Sequence, residues 1–210
     1  MEDFDKKQHW ENVYKTKSLE EVSWYQPIPE TSLSFIKNAN LPIEAKIIDI
    51  GGGDSFLVDH LLELGYQNIS VLDISEAAID RAKERLGAAA GQVKWIVSDI
   101  LEFQPTEEYD FWHDRAAFHF ITDDREIELY LLKARQALGP KGLMLIGTFS
   151  ESGPTKCSGI TIKQYSDDSM ASKFDPYFNK IKCGFFDHPT PGGSTQQFVF
   201  CSFRRKDSGL

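Results

Sequence analysis

The stretch Asp49-Ile50-Gly51-Gly52-Gly53-Asp54-Ser55 sets carboxylates on both sides of three consecutive glycines, and Asp73 stands twenty-two residues after Gly51. Glycines lack a Cβ, so backbone N–H groups in such a loop can come close to a ligand. An acid at the end of the next strand can accept both hydroxyls of a ribose. Asp49 would repel a pyrophosphate and attract a cation, so it favours a ligand that carries positive charge. A second dense group is Tyr109-Asp110-Phe111-Trp112-His113-Asp114-Arg115, with His119 just beyond. His113 or Asp114 can act as a general base or hold an acceptor, Arg115 can bind an anionic group, and His119 can stand in a pocket wall. Trp24 and Tyr25 offer aromatic faces, which attract cationic groups. Cys157 has no base partner in the sequence and reads as a plain thiol.

These residues need a scaffold that gathers strand ends, and the middle of the chain supplies one. Short β-branched runs alternate with longer amphipathic ones, the pattern of βαβ units and a parallel sheet. Strands are predicted at 46–50, 69–73, 93–97, 109–112 and 142–148. A helix follows the glycine loop from Asp54 or Ser55 to Leu64 and ends at Gly65. Ser75 is the expected N-cap of the next helix, and another runs from Asp123 to Leu138. Residues 178–186 and 196–205 flank the Pro/Gly turn at 188–193 and read as an antiparallel hairpin. The chain is expected to be one domain, residues 1–210. It has an aromatic cap segment over 1–40, a core over 41–205, and a Gly/Ser-rich, lid-like insert at 150–176 whose helix is placed near 167–174.

Composition narrows the function. A chain of 210 residues with 41% apolar content needs neither disulfides nor metal to hold a core. Acidic residues outnumber basic ones 32 to 23, so binding to a phosphate backbone is disfavoured. No run approaches the ~20 apolar residues of a membrane helix, and MEDFDKKQHW has no apolar signal-peptide region. Three cysteines without a CxxC pair suit a reducing cytoplasm better than a disulfide framework, and no structural-zinc spacing occurs. Of the cofactors that use a glycine turn, a dinucleotide would want a third glycine where Phe56 stands. S-adenosylmethionine (SAM), with its sulfonium and ammonium, suits the acids.

The ordered motifs resemble those of the class I SAM-dependent methyltransferases over roughly residues 40–205. Ile47-Ile48-Asp49-Ile50-Gly51-Gly52-Gly53 is similar to the first motif, although Ser55 stands where another glycine is usual. Val71-Leu72-Asp73-Ile74-Ser75 is similar to the second, whose acid holds the ribose. Ser98-Asp99-Ile100 is similar to the third, where Asp and the next backbone amide meet adenine. Leu138-Gly139-Pro140-Lys141-Gly142 resembles the turn before the fifth strand. The resemblance implies an α/β, doubly wound, Rossmann-like seven-stranded sheet. It would have five parallel-type strands, a C-terminal antiparallel hairpin and helices on both faces. It also implies SAM as cofactor, held by Asp49, Gly51, Gly52, Gly53, Asp73, Ile74, Asp99 and Ile100, without metal. His113 and Asp114 are then the catalytic candidates; Trp24, Tyr25, Arg115 and His119 lie on the acceptor side. The expected activity is methyl transfer to a small molecule or a protein side chain. A non-catalytic SAM-binding regulatory subunit is the alternative, and a nicotinamide reductase a distant third.

Overall fold

The computed structural model describes residues 4–207. In chain order the elements are helix α1 (Lys6–Thr16), a 3₁₀ turn (Leu19–Glu21), α2 (Glu30–Asn38), β1 (Lys46–Ile50), α3 (Leu57–Glu63), β2 (Asn68–Asp73), α4 (Glu76–Leu86) and β3 (Val93–Val97). Then follow β4 (Tyr109–Arg115), a 3₁₀ turn (Phe118–Phe120), α5 (Asp124–Ala137), β5 (Leu138–Phe149), a small ribbon of β6 (Lys156–Cys157) and β7 (Ile160–Thr161), α6 (Asp167–Phe174), β8 (Phe178–Pro189) and β9 (Thr195–Arg205). The main sheet has seven strands in the order β3-β2-β1-β4-β5-β9-β8. Strands β1 to β5 pair in parallel, and β9 runs antiparallel to both β5 and β8. The hairpin is as expected; β8 therefore points with the parallel set, and β9 alone opposes it.

Strand alternation divides the core in two. Ile48, Ile50, Trp112, Met144 and Ile146 face α5 and α6, where they meet Ile127, Leu131 and Phe174. Ile47, Phe111 and Leu145 face α2 and α3, where they meet Leu33, Ile36, Leu57 and Leu61. Both faces of the parallel strands are thus removed from water, as a parallel sheet requires. Ser75 caps α4 as foreseen, its Oγ accepting from Ala78 N; Asp123, expected inside its helix, is instead the N-cap of α5 and accepts from Arg125 N and Glu126 N.

Four local expectations are corrected. Strand β4 does not stop at Trp112 but runs to Arg115, because His113, Asp114 and Arg115 pair with Leu145, Ile146 and Gly147 of β5. Strand β5 starts at Leu138, which pairs with Tyr109 across a register shift, so the Gly-Pro turn lies within the strand. The helix after the glycine loop starts only at Leu57, since residues 51–55 are taken up by turning the chain over β2. Cys183 and Cys201 face each other on β8 and β9 and form a disulfide, which removes the argument from cysteine number to a reducing compartment. Cys157 is unpaired and buried. Among the described residues no helix is long and apolar enough to cross a membrane, and no cluster could hold a metal ion.

Candidate cofactor cleft and its comparisons

The strand order reverses at β1 and β4, so their carboxyl ends open a crevice. Gly51 crosses it at φ +64°, and its N–H donates to Leu72 O at 2.7 Å. A Cβ there would lie 2.7 Å from the Cβ of Ala117, so conformation and space both demand glycine. Gly53 serves Asp73: its N–H donates to Asp73 Oδ2 at 3.0 Å, and a Cβ would fall 2.5 Å from that oxygen. Ser75 N donates to Asp73 Oδ1 at 2.8 Å. Burial pushes the Asp73 carboxyl up to about 7, against these two bonds, with the charges of Asp49 and Glu11 adding to the rise. Beside it the cleft is lined by Ile74, Ser98, Asp99, Ile100 and Leu101; Asp99 Oδ1 accepts from Leu101 N at 2.8 Å.

Asp49 and His113 are register partners on β1 and β4, so their side chains share one face of the sheet. His113 Nδ1 is 2.6 Å from Asp49 Oδ1, and Nε2 is 2.8 Å from Ser32 Oγ on α2. A carboxylate only accepts, so Nδ1 carries the proton toward Asp49, and Nε2 shares a hydrogen bond with the Ser32 hydroxyl. Both ring nitrogens are therefore committed. Asp49 Oδ2 is buried and has no partner among the described residues.

Asp114 points the other way. Its Oδ1 accepts from Ala117 N at 3.1 Å and Phe118 N at 3.0 Å, and its Oδ2 accepts from Tyr130 OH at 2.7 Å. Tyr130 OH in turn accepts from Trp112 Nε1 at 2.9 Å. Burial lifts this carboxyl to about 6 even so. The structure thus sets His113 and Asp114 on opposite faces of β4 and does not bring them together. Arg115, two residues past His113, returns to the Asp49 face and lines the cleft. Its Nη1 donates to Trp24 O at 3.1 Å and its guanidinium lies 5.5 Å from the Phe198 ring centre. His119 is fully buried, stacked on Phe149 at 4.7 Å, and held neutral to about pH 3 by burial and by the Arg115 charge.

The N-terminal segment closes one side. Trp10, Tyr14, Trp24 and Phe120 line the cleft, with Trp10 5.1 Å from Phe120 and 5.7 Å from Trp24 between ring centres. Helix α1 is fastened to α4: Glu11 accepts from Glu76 N and Ala77 N at the α4 N-terminus, and Arg81 donates to Tyr14 O and Lys17 O. Tyr25 lies instead against Phe56, at 6.0 Å. Trp10 and Tyr14 are not among the sequence-predicted site residues; their i, i+4 spacing is the signal that puts both rings on one helix face. These rings and the strand ends bound a cleft that is half open to solvent.

Residues 47–142 match the family model of a methyltransferase domain. The chain is 23% identical to the mouse (Mus musculus) eEF1A lysine and N-terminal methyltransferase, over 95% of this chain and 31% of that protein. It is 31% identical to malonyl-[acyl-carrier protein] O-methyltransferase 2 of Ilyobacter polytropus, over 50% of this chain and 39% of that one. The chain spans well under half the length of the curated relatives it matches. Among solved structures, a protein described by the conversion of a disulfide bond into a thioacetal group during echinomycin biosynthesis superposes with a TM-score of 0.80 at 20% identity, over 97% of this chain and 94% of that one. A SAM-dependent methyltransferase from Anabaena variabilis superposes with a TM-score of 0.75 at 17% identity, over 97% and 96%. The sheet order and the glycine turn are thus those of a methyltransferase-like fold, and the stretch from β1 to the start of β5 is similar to a methyltransferase domain.

Proposed function

We propose that the chain transfers a methyl group from SAM to a small molecule or a protein side chain. The observation that carries this reading is the pair of buried strand-end acids. Asp73 is braced at the end of β2, and Asp49 presents one oxygen with no partner among the described residues. A cationic nucleoside satisfies both; a pyrophosphate would be repelled. In this reading Asp73 accepts from the ribose hydroxyls, Ile74, Asp99 and Ile100 bound the adenine, the Gly51–Gly53 turn admits the ligand backbone-close, and Asp49 Oδ2 receives the ammonium. Trp10 and Trp24 offer π faces toward positive charge.

When bound, SAM supplies an activated methyl on a sulfonium, so alignment with the acceptor can provide most of the rate. The roles of β4 follow from its hydrogen bonds. His113, committed at both nitrogens, positions Asp49; Asp114, committed at both oxygens, positions the loop that continues β4. The acceptor would meet the aromatic side of the cleft, near Trp24 and Arg115. The names of the relatives include a lysine and N-terminal methyltransferase and a malonyl-[acyl-carrier protein] O-methyltransferase, so they leave the acceptor class open. A cytoplasmic location belongs to the same proposal, since SAM is supplied there. Thermal shift with SAM, S-adenosylhomocysteine (SAH) and NADH is the test. Ligand at a hundred times Kd should add about 2.7 kcal/mol. A response to NADH alone would refute the reading.

A further inference from the structure

Residues 22–28 cross from the first 3₁₀ turn to α2 with neither helix nor strand, and their Trp24 lines the cleft. A segment without a ladder must find other donors for its carbonyls. Three side chains supply them here. His188 Nε2 lies 2.8 Å from Ser23 O, Arg115 Nη1 donates to Trp24 O at 3.1 Å, and His60 Nε2 lies 3.0 Å from Pro27 O. A carbonyl only accepts, so each of these two ring nitrogens carries a proton and donates it. The donors stand on β8, β4 and α3, so one short strap is suspended from three elements.

The donors to the two neighbouring carbonyls share a floor. The Phe198 ring of β9 lies 5.5 Å from the Arg115 guanidinium and 6.0 Å from the His188 ring, centre to centre for the latter. His188 is buried near the end of β8, where burial and the Arg115 charge favour its neutral form. With the proton of a neutral ring on Nε2, Nδ1 is a lone pair, and it has no partner among the described residues. The Ser23 carbonyl therefore accounts for the tautomer of this histidine. Among the described residues none of β8 or β9 lines the cleft, so the hairpin reaches it through what it holds. What it holds leads to the aromatic wall, since the Trp24 ring lies 5.7 Å from Trp10 and 6.2 Å from Tyr14.

We infer that His188 is a positioning residue for the aromatic side of the cleft: by holding Ser23 O it fixes how far the Trp24 ring reaches over the site, with Arg115 and His60 as the other two points of suspension. The C-terminal hairpin thereby sets the wall of a site to which it contributes no lining residue. The suspension is a matter of geometry; it rests on the methyltransferase reading only for what the wall faces, a bound cofactor and its acceptor.

Amide hydrogen exchange on the full chain, together with the rate at which SAH dissociates, tests this. His188→Leu keeps bulk and loses the donor, whereas His188→Gln keeps an N–H near the place of Nε2. In His188→Leu, exchange at residues 23–28 should quicken about two- to tenfold, the factor of one lost hydrogen bond, while β4 and β5 keep the parent rates. SAH should leave faster by a similar factor, because Trp24 lines the same cleft as the strand-end acids. His188→Gln should restore both. His60 is only partly buried, and His60→Leu should loosen the same segment from its other end, which keeps the suspension testable where His188→Leu does not fold. Unchanged exchange at residues 23–28, quickening spread evenly along β8 and β9, or no recovery in His188→Gln overturns the inference. So does a loosened strap with an unchanged SAH dissociation rate, which would make the anchor structural only. If the parent protein does not bind SAH, the methyltransferase reading fails instead, and the exchange rates alone decide the suspension.

Discussion

With the acid at the end of β2 placed against the ribose, as proposed, cofactor affinity should fall as the pH is lowered. Asp73 titrates near 7 in the ligand-free protein because burial outweighs its bonds from Gly53 and Ser75. Its folded pKa lies above the unfolded value of 3.8, so it favours the folded state most in acid, and that contribution is lost as pH rises through 7. Ribose hydroxyls donate, so the bound state requires the carboxylate. With a pKa of 7, the ionised fraction is about ten-elevenths at pH 8 and one-eleventh at pH 6. SAH affinity should therefore fall about tenfold over that span, and binding at pH 7 should release about half a proton. Titration calorimetry in two buffers of different ionisation enthalpy measures both. Asp73→Asn is the reference: weaker by roughly 1.5–3 kcal/mol and without the proton release. A parent protein whose SAH affinity is flat from pH 6 to 8, with no proton exchanged, would refute the placement of this carboxylate against the ribose.

His113→Ala leaves Asp49 and Ser32 with bare buried atoms, so melting temperature and SAH affinity should fall together; a loss of turnover with both intact would restore a base role to His113. Asp114→Asn replaces an acceptor-only group facing two N–H donors and a hydroxyl, and should cost about 1–3 kcal/mol in chemical denaturation while SAH affinity stays near normal. Trp24→Ala should lower turnover by more than its change in melting temperature explains, because the residue lines the cleft and its carbonyl holds Arg115; near-normal turnover in a stable protein would place the segment outside the site.

The unit from β1 through the glycine turn to β2 is legible because its signals are local. A strand, a glycine turn and an acid at the next strand end lie within about thirty residues, and the βαβ geometry places them together whatever the rest of the chain does. The β4 region is not local in that sense. His113-Asp114-Arg115 contains no turn residue and no apolar alternation, so it reads as a polar loop, and only pairing with β1 and β5 reveals a strand. The line-up of Trp10 with Trp24 likewise depends on α1 docking to α4 through Glu11 and Arg81, contacts some sixty-five residues apart. The disulfide lay within reach. A hairpin closing at Pro189 and Thr195 puts Cys183 opposite Cys201, six residues back on one strand and six forward on the other.

Once β4 is a strand, the crowding of polar groups at its end has a physical explanation. Alternation sends His113 and Arg115 to the α2 face and Asp114 to the α5 face, so neither face gathers like charges. The chain then turns at Ala116, which holds φ +66°, a conformation costly for a residue with a Cβ. Ala116 N donates to Gly147 O, and Asp114 takes the next two N–H groups, Ala117 and Phe118, so the strained turn is pinned from both sides. Ala117 in turn abuts Gly51, the crest of the glycine turn. A buried acid on one face of β4 thereby fixes the floor of the cleft, and a buried histidine on the other fixes the acid of β1.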